Sequence, residues 1–152
     1  MTVLVIDGQG GGLGRQLVAA VKARVPGAAV WAVGTNSAAT TAMLRAGADK
    51  AATGENAVAV ACRRADVIVG PVGIVIADAM LGEITPAMAL AVGQSAAARV
   101  LVPVNQCDNI VAGAQGLPMA RLVQSAAEAV ESLAAGGPGA GGPGAGAQSG
   151  AH

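Results

Sequence analysis

Val3-Leu4-Val5-Ile6-Asp7-Gly8-Gln9-Gly10-Gly11-Gly12-Leu13-Gly14-Arg15 opens on an unbroken aliphatic run and passes at once into five glycines within seven positions. A continuous run of this kind is the pattern of a strand covered on both faces. Dense glycine between such a strand and a helix has three physical uses. It permits positive φ in the turn, it lets backbone amides approach an anion with no Cβ in the way, and it starts the helix hard against the strand.

The remaining chain repeats the alternation of strand and helix. Short β-branched runs recur at residues 29–33, 51–53, 67–69 and 100–102, the one at 51–53 being short and weak. Helical spacing fills the intervals. Over residues 13–25 Leu17, Val18, Val21 and Val25 share one face until Pro26-Gly27 stops the pattern. Residues 37–46 and 56–64 read as the next two helices, and residues 74–81 as another up to Gly82. Thr85-Pro86 supplies a cap and first-turn proline for a helix to residue 97. A last helix starts at Pro118 with Met119, Leu122, Val123, Ala126, Val130 and Leu133 on one stripe. This order predicts an α/β fold, a three-layer, Rossmann-like open parallel sheet of about five strands. The expected strand order is 3-2-1-4-5, with 2-1-3-4-5 as the alternative.

Composition agrees with a single domain. Of 152 residues 53% are hydrophobic and 12% charged, while one Trp, no Phe and no Tyr make the core aliphatic. Residues 1–135 suffice for a self-standing core, whereas residues 136–152, rich in Gly, Pro and Ala, are expected to be a disordered tail. Nine Lys plus Arg balance nine Asp plus Glu, so no basic field exists to hold nucleic acid or an anionic membrane. Cys62 and Cys107 form neither a CxxC motif nor a disulfide framework. With no signal peptide pattern and no run of membrane-spanning length, the cytoplasm is the expected compartment.

Gly8, Gly12 and Gly14 fit GxxxGxG, a spacing found in short-chain dehydrogenases and related nucleotide-binding folds. The GxGxxG pattern fits no frame, because Leu13 or Arg15 stands where its last glycine belongs. A phosphate-binding P-loop fails too: Gln9 replaces its first glycine, Arg15 its lysine and Gln16 its hydroxyl residue. Strand two ends in Gly34-Thr35-Asn36-Ser37 instead of the acid that would hold a ribose, so Thr35 or Asn36 is the alternative ribose partner, or Asn36 or Ser37 is a helix cap.

The expected ligand is therefore a phosphorylated small molecule, NAD(P) or another adenine nucleotide, at the carboxyl edge of the sheet. The residues expected to hold it are Asp7, Gly8, Gln9, Gly10, Gly11, Gly12, Leu13 and Gly14, with Thr35, Asn36, Gly70, Pro71, Gly73 and Asn105. Trp31 is expected near the adenosine side. Catalytic groups are few. The sole histidine is His152 and there is no tyrosine, which removes a Ser-His-Asp triad, a His-ligated metal and a Tyr proton donor. Cys107 reads as an inert cysteine before a reactive one, and Asp78 with Glu83 as solvated helix ends before an acidic pair.

Several strings together resemble a small bacterial family known as a domain of unknown function. They are Val5-Ile6-Asp7-Gly8-Gln9-Gly10-Gly11-Gly12-Leu13-Gly14, Ala32-Val33-Gly34-Thr35-Asn36, Ala46-Gly47-Ala48-Asp49, Ala52-Thr53-Gly54-Glu55-Asn56, Gly70-Pro71-Val72-Gly73-Ile74, Met80-Leu81-Gly82-Glu83-Ile84-Thr85-Pro86-Ala87-Met88 and Pro103-Val104-Asn105-Gln106-Cys107. The resemblance covers about residues 2–133 and implies a small stand-alone bacterial protein, with no reaction attached. Three readings follow: a nucleotide-binding protein without autonomous catalysis, a structural or interaction protein with no small ligand, and a minimal oxidoreductase subunit. A homodimer or an unidentified protein partner is compatible with each.

Overall fold

The computed structural model describes residues 1–104 and 109–136. Five parallel strands, β1 (Thr2–Asp7), β2 (Ala29–Gly34), β3 (Lys50–Thr53), β4 (Val67–Pro71) and β5 (Ala98–Val102), lie in the order β3-β2-β1-β4-β5. The first of the two expected orders is the one adopted. Five helices connect or follow them: α1 (Gly12–Arg24), α2 (Ser37–Arg45), α3 (Glu55–Arg64), α4 (Pro86–Gln94) and α5 (Met119–Ala134).

Period two in the strands divides the interior into two layers. Val3 and Val5 of β1 join Val30, Ala32, Val67 and Val69 on the face covered by α1, α2 and α5, through Leu17, Val21, Met43, Val123 and Val130. Leu4, Ile6, Val33 and Ile68 face the other way, against Val58, Ile84, Met88 and Val92. Residues 3–6 of β1 and all of β4 are apolar because neither face meets water there. Arg24 at the end of α1 pairs with Glu128 at 3.3 Å and Glu131 at 3.6 Å, which pins the polar flank of α5 to α1.

Helix starts follow local chemistry. Asn36 Oδ1 accepts from the Ala39 amide at 2.9 Å, and Thr85 Oγ1 accepts from the Met88 amide at 3.1 Å behind Pro86. Two expected helices are revised. The segment after β4 makes a single 3-10 turn (Val72–Val75), then a series of turns in which Asp78, Met80 and Leu81 have φ of 66°, 58° and 56°. Left-handed conformations cost non-glycine residues about 1–2 kcal/mol each, so no helix runs through this segment. Its closure is local: the Asp78 amide donates to Ile84 O at 2.8 Å and the Gly82 amide to Asp78 O at 3.0 Å. Likewise α4 stops at Gln94, because Ser95 is extended and its hydroxyl donates to Cys62 O at 2.7 Å. Of the tail at 136–152, expected to be disordered, all but Gly136 lies outside the described residues.

Candidate functional site

At the carboxyl edge the chain turns one way from β1 to β2 and the other way from β4 to β5, so a crevice opens above β1 and β4. A cleft of about 790 Å³ occupies it. One wall is the loop Asp7 to Leu13, and the floor is Pro71 with Pro103 and Val104. The far wall is Asn109 to Val111, Ala114 to Leu117, and Met119 and Leu122 at the start of α5. Asp7 is the only charged side chain among the described residues that line it.

The glycine loop divides by physical role. A Cβ on Gly8 would lie 2.7 Å from both Met80 Sδ and Thr35 Oγ1. On Gly14 it would lie 2.7 Å from Asp7 Cβ and Met43 Sδ. Gly11 has φ 71° and its Cβ would meet Ala39 Cα at 2.8 Å, so it turns the chain and seats α1 against α2. Packing thus explains three of the five glycines. Gly10 and Gly12 differ: neither has positive φ, and a Cβ on either would meet nothing within 4 Å. Both line the cleft.

Amides at the loop are shared between the protein and the cleft. The buried Asp7 carboxylate accepts from the Gly8 amide at 2.8 Å and from the Gly14 amide at 2.6 Å, capping α1 from beneath where Gly11 has no side chain to do so. Gly11 donates to Gly8 O at 3.0 Å, and Gln9 donates to Glu83 Oε1 at 2.9 Å. Among the described residues no acceptor meets the amides of Gly10, Gly12 or Leu13. They stand at the positive end of the α1 dipole, on the wall of the cleft.

Glu83 closes the other side of the loop. Its Oε1 accepts from the Thr35 hydroxyl at 2.7 Å and the Asn36 side-chain amide at 2.7 Å, besides the Gln9 amide. Asn36 also donates to Gln9 O at 2.9 Å. The left-handed residues of the preceding turn are what carry Met80 and Glu83 to this position. Burial raises the Glu83 carboxyl, but its three donors outweigh burial and hold it below the ordinary 4.5. Asp7 goes the other way. Burial lifts it above the ordinary 3.8 by more than the Gly14 and Gly8 amides lower it, and the Glu83 charge adds to the rise.

The sequence matches the family described as domain of unknown function DUF3842 over residues 2–135. The chain belongs to this family. No curated protein matches this DUF3842 chain. One solved structure similar to it is a dodecameric FMN-dependent UbiX-like decarboxylase from Escherichia coli O157:H7, 20% identical, with a TM-score of 0.46 over 86% of this chain and 76% of that one.

In this DUF3842 chain the structure gathers Asp7, Gly8, Gln9, Gly10, Gly11, Gly12, Leu13 and Pro71 at one cleft, and places Gly14 directly beneath the loop. Thr35 and Asn36 instead face Glu83 on the β2 side. Gly70 and Gly73 are buried behind Pro71, and Asn105 and Cys107 lie outside the described residues. Trp31 packs into the second core layer under Lys50 Nζ, 5.2 Å from the ring centroid, and does not line the cleft. Asp78 is exposed, whereas Glu83 is half-buried and bonded to Gln9, Thr35 and Asn36. Glu83, Met80, Met119 and Leu122 were not expected at the site. No grouping of His, Cys, Asp or Glu among the described residues is suited to a metal ion. No described helix is long and apolar enough to cross a membrane.

The two carboxyls predict opposite responses to acid. Because the folded value of Glu83 is lowered, its bridge contributes stability that is complete above the ordinary 4.5 and disappears as pH falls through the lowered value. Asp7, raised, opposes folding while ionised, and that opposition is relieved as pH falls through its raised value. Urea unfolding of wild type and Glu83→Gln between neutral pH and pH 3 checks this. The wild type should unfold at higher urea at neutral pH, and the gap should close in acid. A gap independent of pH would mean that the Glu83 charge contributes nothing to its bridge.

Proposed function

We propose that the cleft beside the glycine loop binds a small phosphate-bearing, nucleotide-like ligand, and that residues 1–135 act as a binding domain without autonomous catalysis. The observation that carries this reading is the pair Gly10 and Gly12. Neither packing nor backbone conformation calls for glycine there, yet both are bare toward the cleft, beside three amides that meet no acceptor among the described residues. A phosphate would take those amides at the helix start. The apolar far wall would cover the rest of the molecule, and the volume of about 790 Å³ is of the size that small ligands occupy.

Thermal unfolding of the protein with inorganic phosphate, AMP, ADP, ATP, NAD, NADP, coenzyme A and FMN is the test. At a concentration about 100 times Kd a ligand stabilises the native state by about 2.7 kcal/mol. For a chain of this length that is a rise in Tm of roughly 5–10 °C. If none of these compounds moves Tm at millimolar concentration, the loop is only a tight turn. The interaction-protein reading then takes over, supported by Ile110, 82% exposed at the rim of the cleft.

A further inference from the structure

In a doubly wound sheet a dinucleotide straddles the switch point, its pyrophosphate over the first helix and one nucleoside on the β2 side, where a side chain at the end of β2 takes the ribose hydroxyls. That half of the position is filled here by the protein itself. The three groups best placed to receive a sugar, the Gln9 amide, the Thr35 hydroxyl and the Asn36 side-chain amide, all converge on one atom, Glu83 Oε1. Met80 Sδ takes the remaining space over Gly8. A ribose entering on this side would have to displace a charge-assisted set of three hydrogen bonds, and a second phosphate would meet the Glu83 carboxylate. On the opposite side the loop opens into the cleft, toward Pro103, Val104, Val111, Leu117, Met119 and Leu122, with no cationic side chain among the described lining residues.

We infer that the site selects a ligand carrying one terminal phosphate monoester on an uncharged, largely apolar or flat body, and that Glu83 is the residue that excludes dinucleotides by occupying the sugar position beside β2. The inference rests on the reading of the loop as a phosphate cradle. It separates the two sides of the loop: phosphate at Gly10, Gly12 and Leu13, body over Pro71 and against α5, nothing over Thr35 and Asn36.

Calorimetric titration with AMP, nicotinamide mononucleotide and NAD tests it, since the first two are the halves of the third and each ends in a phosphate monoester; AMP carries the uncharged body, whereas the nicotinamide ring of the other half is a cation. The wild type should bind at least one half about tenfold or more tightly than NAD. Glu83→Ala, which empties the sugar position, should gain NAD binding and narrow that ratio to about threefold or less. Glu83→Gln keeps an oxygen for Gln9 and Thr35, and it should narrow the ratio partially if Glu83→Ala does not fold. Equal binding of NAD and its halves by the wild type overturns the inference, as does an unchanged ratio in the variants. Loss of NAD binding in Glu83→Ala also overturns it, because Glu83 would then be accepting a ribose hydroxyl. If neither half nor inorganic phosphate binds the wild type at millimolar concentration, the cradle reading itself fails and this inference falls with it.

Discussion

Gly70→Ala should lower Tm by roughly 6–12 °C, the equivalent of about 3 kcal/mol at 2–4 °C per kcal/mol for a chain of this length. A Cβ at this position would stand 2.5 Å from the backbone oxygen of Ile6 and 3.0 Å from Ile74 Cδ1. The oxygen belongs to β1, which is hydrogen-bonded to β2 on one side and to β4 on the other, and Ile6 is 1% exposed. Neither strand can retreat without breaking a ladder, so the cost falls at the upper end for overpacking. Gly27→Ala is the matched control, because a Cβ there meets nothing within 4 Å and its φ is not positive. It should melt within about 2 °C of wild type. A Gly70→Ala protein as stable as that control would show that the sheet has slack at the switch point. Gly70 is thus accounted for by strand spacing, and its neighbour Pro71 does line the cleft.

Gly12→Asp should abolish phosphate binding and leave the fold intact. The two effects separate because Gly12 is the first residue of α1, its Cβ position is open, and an acidic side chain there favours the helix dipole by about 0.3–1 kcal/mol. The unliganded Tm should therefore stay the same or rise by roughly 1–4 °C. Any shift of roughly 5–10 °C produced by a phosphate compound in the wild type should vanish, since the new carboxylate occupies and repels at the amides of Gly10, Gly12 and Leu13. Thermal melts of both proteins with and without the compound read both quantities in one experiment. A compound that shifts the two proteins equally binds somewhere other than this loop. A variant that fails to fold would contradict the open Cβ position.

Aliphatic periodicity and punctuation were enough to place most of the fold. The continuous runs at residues 3–6 and 67–69, the helical stripe of Leu17, Val18 and Val21, and the caps at Asn36 and Thr85 are local signals, set by burial on two faces and by backbone donors that need an acceptor within a few residues. The weakest strand expected from the sequence, β3, is also a sheet edge, where three of its four residues are exposed and little apolar patterning is required. The glycine loop likewise marked a tight turn from strand to helix, because five glycines in seven positions are a backbone property before they are a tertiary one.

The occupants of that edge were not legible. Residues 74–81 carry helical spacing, but three non-glycine residues take left-handed φ, a conformation for which Met80 and Leu81 have no preference and which only the surrounding contacts hold in place. Glu83 reaches Gln9 across 74 positions of sequence and Thr35 across 48, so no spacing rule connects them. Which glycines are bare for packing and which are bare toward the cleft also depends on neighbours such as Met43, Ala39 and Met80, which arrive from other parts of the chain. By itself the sequence determined the layers and the alternation of parallel strands with helices, and it narrowed the strand order to two, because those follow from local burial and chain connectivity. Only the tertiary structure decided that the β2 side of the loop is filled by Glu83 and that the cleft opens toward α5, because both depend on side chains brought together across the sheet.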